Sequence, residues 1–282
     1  MSTLKRLIKR KIALFSFIVI LLIVSAAIFA PLIAPYDPSK QFTEGLTLQG
    51  APLPPSSQFP IGTDLLGRDL LSRLIYGART SLFIGLLANG FAVVLGTFIG
   101  IVAGFIRGRT GSIIMRFTDL MMAFPALLLA ITLAAIFSPS LFIVALVIAM
   151  VNWVQIARVI YTQTISISEK EFIEAARSLG ATNSRILRKH ILPHLAPIVM
   201  VWATLGISTT VLLEATLSFL GIGVRPPTPS WGNIIFENQT YFSSAPWLVF
   251  IPGFAIILLA LAFNFLGDAL RDELDPTQRG RR

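Results

Sequence analysis

Hydrophobic residues gather into six long runs, near 12–34, 80–106, 117–137, 141–160, 197–223 and 246–267, with polar segments between them. A hydrocarbon core about 30 Å thick needs about 20 apolar residues per helix, so each run can cross a bilayer. The pattern predicts an all-α, polytopic membrane protein with six transmembrane helices. Run two carries Gly85, Gly90, Gly96, Gly100 and Gly104, small residues that let helices approach closely in lipid. Run three contains Phe124-Pro125, which should kink it, and Ser138-Pro-Ser140 should turn the chain tightly into run four.

Between runs four and five lies a polar stretch with helical order of its own. Ser168 followed by Glu171 has the form of a capping box, and Phe172, Ala175, Ala176 and Leu179 then recur on one helical face. Gly180 stands where a helix would end in a left-handed residue. Thr182 or Asn183 can cap a second helix whose apolar face carries Ile186, Leu187, His190 and Ile191, and Pro193 should break it. The result is a helix–turn–helix at the membrane surface.

Glu174-Ala175-Ala176, Gly180 four positions later, and Leu192-Pro193 closing the segment resemble the cytoplasmic EAA loop of permease subunits in ATP-binding-cassette importers. The usual apolar residue two positions before Leu-Pro is replaced here by His190, as peptide-type members often have it. Gly62 to Arg79 resembles the stretch preceding the core of peptide and nickel importer permeases. Residues 213–221, with Glu214, resemble the fifth-helix signature of that subfamily, and Asn264 to Pro276 resembles its carboxyl-terminal end. The resemblance implies a type I importer permease bundle: an N-terminal part over 1–78, a permease core over 79–268 holding the 168–193 loop, and a tail over 269–282. It further implies a second, related permease, two cytoplasmic ATPase subunits that use ATP and Mg, and an extracytoplasmic substrate-binding protein. Glu174, Ala175, Ala176, Gly180, Leu192 and Pro193 would then form the ATPase-coupling loop.

Composition agrees with the runs: of 282 residues 55% are hydrophobic and 13% charged, with mean hydropathy +0.78. That excludes an ordinary soluble domain and makes membrane lipid the main surrounding. The net charge of +9 invites a nucleic-acid reading, but the charges are spread between apolar runs, and topology accounts for them better. With both termini cytoplasmic, 18 of the 23 Lys and Arg fall on inner segments and 5 on outer ones. The expected location is the bacterial cytoplasmic (inner) membrane. Lys5, Arg6, Lys9, Arg10 and Lys11 precede an apolar run too long for a signal peptide, so the first helix should remain uncleaved.

Outside the membrane, the proline-rich stretch 35–60 should be irregular. Leu66, Leu70, Leu71 and Leu74 lie on one face, with Arg68, Asp69, Ser72 and Arg73 off it, which predicts an interfacial helix before run two. Trp231 and Trp247 suit a membrane interface, and Asn238-Gln-Thr240 matches a glycosylation acceptor only by coincidence. Four polar residues within runs are pathway or gating candidates. Asp119 could instead pair with Arg116 one turn away. Asn152 and Gln155 could line a polar path or bond between helices. Glu214 must face the bundle interior, a cavity or a partner.

No phosphate cradle of the form Gly-x-x-x-x-Gly-Lys-Ser/Thr is present, so any ATPase is another polypeptide and this chain binds no cofactor. There is no cysteine, no His-Glu-x-x-His and no Gly-x-Ser-x-Gly. His190 and His194 are four apart with Pro193 between them and no third ligand apparent, which argues against a metal site. The expected function is a transport subunit for peptides or a related small solute, with no catalytic residue. A secondary transporter driven by an ion gradient through Asp119 and Glu214 is the alternative.

Overall fold

The computed structural model of the chain describes residues 10–137 and 140–274. Lys5, Arg6 and Lys9, the Ser138-Pro139 part of the turn, and the tail beyond Leu274 lie outside the described residues. The architecture is an all-α membrane bundle. Helix α1 (Lys11–Ile28) and the short α2 (Ala30–Ile33) lead into the irregular stretch 35–69. Helix α3 (Leu70–Ile106) follows, then α4 (Gly108–Met122), α5 (Ala126–Ile136), α6 (Leu141–Ser168) and α7 (Glu171–Ser178). A four-residue α8 (Asn183–Ile186) runs through a π turn (Leu187–Ile191) into α9 (Leu192–Phe219), and α10 (Trp231–Asn238) precedes α11 (Trp247–Leu274).

Helices α1, α3, α6, α8 with α9, and α11 are each long and apolar enough to span a bilayer. Helices α4 and α5 make a sixth span if taken together; they are bent by 89° at the break that holds Phe124-Pro125, so the chain turns at a right angle where a kink was expected. Between α3 and α4 the chain makes only a corner: Arg107 takes φ +55, and α4 starts at Gly108.

The seam that organises the bundle is α3 against α6. Gly96, Gly100 and Gly104 recur every four residues, and a Cβ on them would meet Trp153 O at 2.6 Å, Ala157 O at 2.6 Å and Thr164 Cβ at 2.8 Å. Such a stripe lets two backbones approach more closely than any larger side chain would permit, which compensates for the weak hydrophobic drive within lipid. Gly85 does the same against Val211 of α9, whereas Gly90 faces open space.

The two ends of the bundle differ. At the basic end Arg10 pairs with Asp272 at 2.7 Å and Arg107 with Glu169 at 3.3 Å, so α1, α3, α6 and α11 share this end. At the far end the 35–69 stretch packs on α10, where Leu65 N–H donates to Asn238 Oδ1 at 3.0 Å. Asn238 is fully buried there. Trp231, expected at a membrane interface, is also buried, with its indole N–H donating to Leu74 O at 3.0 Å.

Among the described residues, no separate interfacial helix precedes α3. Helix α3 begins at Leu70, capped by Asp69, whose carboxylate accepts from Ser72 N–H at 2.7 Å, and it runs unbroken for 37 residues. The four leucines do not share one environment: Leu70 is fully buried, Leu71 and Leu74 are half-buried and Leu66 is exposed, while Arg68, Asp69, Ser72 and Arg73 are all buried. The reason is electrostatic: Arg68 and Arg73 meet Glu237 on α10, and the Ser72 hydroxyl donates to the Asp69 carboxylate, so these groups are buried with partners.

Candidate functional site

The 168–193 segment lies at the basic end. Ser168 does not cap α7: it continues α6 as its last residue and is buried, and the N-cap is Lys170, which offers no side-chain bond. Glu171 and Glu174 stand in the first turn of α7, where the helix dipole favours negative charge. Only Ile173 is buried in this helix, against Ile167, Ile186, Ile191 and Leu195. The Phe172 ring stacks on His194 with centroids 5.2 Å apart.

The face that carries Ala175, Ala176 and Leu179 is therefore largely free. Glu174 and Ala175 are exposed, Ala176 is half-buried, and Leu179 is 88% exposed. Gly180 takes φ +79, the left-handed conformation expected for a helix end. Thr182 caps α8, its hydroxyl accepting from Arg185 N–H at 3.4 Å.

Pro193 does not break the second helix. The π turn widens the backbone ring just ahead of it, Leu192 N–H reaches back to Leu187 O, and the helix continues to Phe219. A proline lacks an N–H and crowds the preceding turn, and an extra residue in that turn relieves both demands. Leu192 and Pro193 stay exposed at the start of α9. His194 Nδ1 lies 2.6 Å from His190 O, so that ring nitrogen is engaged with the backbone.

The other predicted residues are dispersed. Asp119 pairs with Arg158 on α6 at 3.1 Å, not with Arg116, because the α4 face that carries it lies along α6. Asn152 Nδ2 donates to Thr210 Oγ1 at 3.2 Å, joining α6 to α9. Gln155 is exposed and lines a cavity of about 230 Å³ with Phe124, Pro125 and Met121. Glu214 is fully buried and accepts from Ser81 Oγ at 2.9 Å and Ser218 Oγ at 2.7 Å, which ties α9 to α3 near the far end. Asp119 and Glu214 share no partner, so no relay joins them.

Sequence reasoning missed the most concentrated polar cluster. Asp64 Oδ2 accepts from Arg68 Nε at 2.6 Å and lies 3.3 Å from Arg73 Nε, while Glu237 Oε2 accepts from Arg68 Nη2 at 2.9 Å and from Arg73 Nη2. Two positive and two negative side chains thus balance in a site where both arginines and Asp64 are at most 3% exposed. A signal was present: four charges within ten residues, immediately before an apolar run, are expensive unless paired. Nothing local in the sequence pointed to Glu237 as the remote partner.

A sharply bent third run, a glycine-seamed bundle and a small helix left exposed at the basic end define a polytopic membrane protein of the permease-like class. Comparison with known proteins makes this specific. Residues 96–280 match the family described as the binding-protein-dependent transport system inner membrane component, and residues 2–55 match the N-terminal TM domain of oligopeptide transport permease C. The chain belongs to this family of permease subunits of ATP-binding-cassette importers. It is 43% identical to a dipeptide transport system permease protein of Alkalihalophilus pseudofirmus, over 98% of this chain and 89% of that one. It is 38% identical to an oligopeptide transport system permease protein of Bacillus subtilis, over 95% and 87%. Inward-facing structures of the MetNI methionine ABC transporter share the fold, with TM-scores of 0.58 and 0.60 at 19% identity, covering 72% of this chain and 96% of theirs. The chain is thus a multi-pass inner-membrane permease subunit without an ATPase site of its own, and the ion-gradient alternative has no support.

Proposed function

We propose that the chain imports peptides: with a second, related permease it encloses the translocation path, and two cytoplasmic ATPases using ATP and Mg drive it through the 168–193 loop. Both curated relatives compared above are named for peptide transport, and they align along nearly the whole chain. The basic end is cytoplasmic in this reading, since Lys and Arg concentrate there. The far end then meets an extracytoplasmic binding protein.

The observation that carries the coupling role is the posture of α7. Ile173 and Phe172 fasten it to the bundle, while Glu174, Ala175 and Leu179 point away and are unused by this chain. A groove on an ATPase would close over Ala175 and Ala176, Gly180 would turn the chain, and Leu192-Pro193 would pass the push into α9. Binding at α7 can drive transport only if it favours one arrangement of the bundle over another. The test is Ala175→Trp in the complete transporter. Ala175 is exposed, so the chain should still fold and reach the membrane while ATP-dependent peptide uptake is lost. Uptake at the wild-type rate would refute the assignment.

A further inference from the structure

Among the described residues, the two large apolar side chains most open to solvent are Leu48, which is fully exposed, and Leu179. Both lie outside the candidate spans, at opposite ends of the bundle. Leu179 belongs to the coupling loop. Leu48 so far has no role.

Leu48 sits on a turn that is already ordered. Leu46 and Pro52 form an antiparallel bridge, Thr47 N–H donates to Ala51 O at 2.8 Å, and Ala51 N–H donates to Thr47 Oγ1 at 3.0 Å. Buried Thr63 clamps the base, donating to Gly45 O at 2.6 Å and accepting from Leu53 N–H at 2.8 Å. Beneath lie Tyr36, Phe42 and Phe59, with ring centroids 4.9 to 5.9 Å apart. The Arg68 and Arg73 cluster then fixes this module to α10. A partner docking on such a turn need not freeze it first, and it gains the apolar surface that water now covers.

We propose that the Leu46–Pro52 turn is a docking peg for the extracytoplasmic binding protein, with Leu48 entering an apolar recess on that protein. The inference rests on the importer reading above, which places the far end outside. A soluble protein fits better than a lipid surface. Thr47, Gln49 and Gly50 flank Leu48, and the turn has no Lys, Arg, Trp or Tyr to hold phospholipid headgroups.

The chain has no cysteine, so Leu48→Cys gives this subunit a single attachment point for a photo-crosslinker. The complete transporter, with cysteine-free partner subunits, is placed in nanodiscs with its binding protein and illuminated. The expected product is an adduct between this chain and the binding protein. The same probe at Ser243→Cys, exposed in the neighbouring loop, should give little. In a second measurement, Leu48→Asp should raise the binding-protein concentration that half-saturates ATPase stimulation by about tenfold, with basal and maximal rates unchanged. An unchanged half-saturation, an adduct with lipid only, or equal adducts from both positions overturns the peg. A wild-type transporter that its binding protein fails to stimulate would overturn the importer reading itself, and the peg with it.

Discussion

Glu237→Gln isolates the electrostatic clamp between the start of α3 and α10. The substitution keeps the shape of the side chain and removes one of two negative charges facing Arg68 and Arg73, which are 3% and 0% exposed. Asp64 alone would then face two buried guanidinium groups. Removing one partner from a buried ion pair typically costs about 3–5 kcal/mol, because the remaining charge stays desolvated without compensation. The loss should be local, loosening the contact between the 62–69 stretch and α10, where Leu65 N–H is bonded to Asn238. At 1.4 kcal/mol per factor of ten, the lower figure corresponds to about a hundredfold faster amide exchange at Leu65. Hydrogen exchange read by mass spectrometry on peptides covering 62–69 and 231–238 measures it, with the α3–α6 seam as internal reference. Exchange within about threefold of wild type would show that water already reaches the cluster and that the burial argument fails.

Two further perturbations probe the membrane interior. Gly100→Ala should cost about 1–3 kcal/mol, since the added Cβ would meet Ala157 O at 2.6 Å and Ile160 Cβ at 2.8 Å, whereas Gly90→Ala meets nothing; equal recovery of monodisperse protein from the two variants would refute the seam. Glu214→Ala leaves the hydroxyls of Ser81 and Ser218 without their acceptor, at about 1–3 kcal/mol per buried orphan, while Glu214→Gln keeps an acceptor oxygen and should be milder. Thermal aggregation of the purified protein should rank them wild type, Gln, Ala, and an inverted order would refute the network.

The spans were legible because lipid imposes one rule along a whole run: every backbone polar group is satisfied within a helix, and the side chains outside are apolar. The left-handed residue at Gly180 was legible for a local reason, since few other residues adopt that conformation readily. What escaped depended on contacts distant in sequence. Leu66, Leu70, Leu71 and Leu74 form one stripe by spacing, yet only Leu70 is fully buried, because Arg68 and Arg73 turn inward to Glu237, more than 160 residues away. Asp119 found Arg158 instead of Arg116 for the same reason. At Pro193 the local rule was correct and still misled, because a π turn ahead of the proline removes the conflict without ending the helix.

At Pro193 and at the start of α3 the structure is stiffer than the pattern suggested, whereas at Phe124-Pro125 it is more sharply broken. A break at Pro193 would have made the 168–193 segment a hinge, and an interfacial helix before α3 would have let the 35–69 stretch float. Instead α8 continues through the π turn into α9, and α3 carries 37 residues, about 55 Å, from the buried arginine cluster to the Arg107 corner beside Glu169. Stiffness is what a subunit without its own energy source needs. In the proposed coupling, a push on α7 that bent a hinge would be dissipated locally, whereas a push on a continuous helix must shift the bundle or fail. Transmission between the two ends then requires the packed elements to have two discrete arrangements.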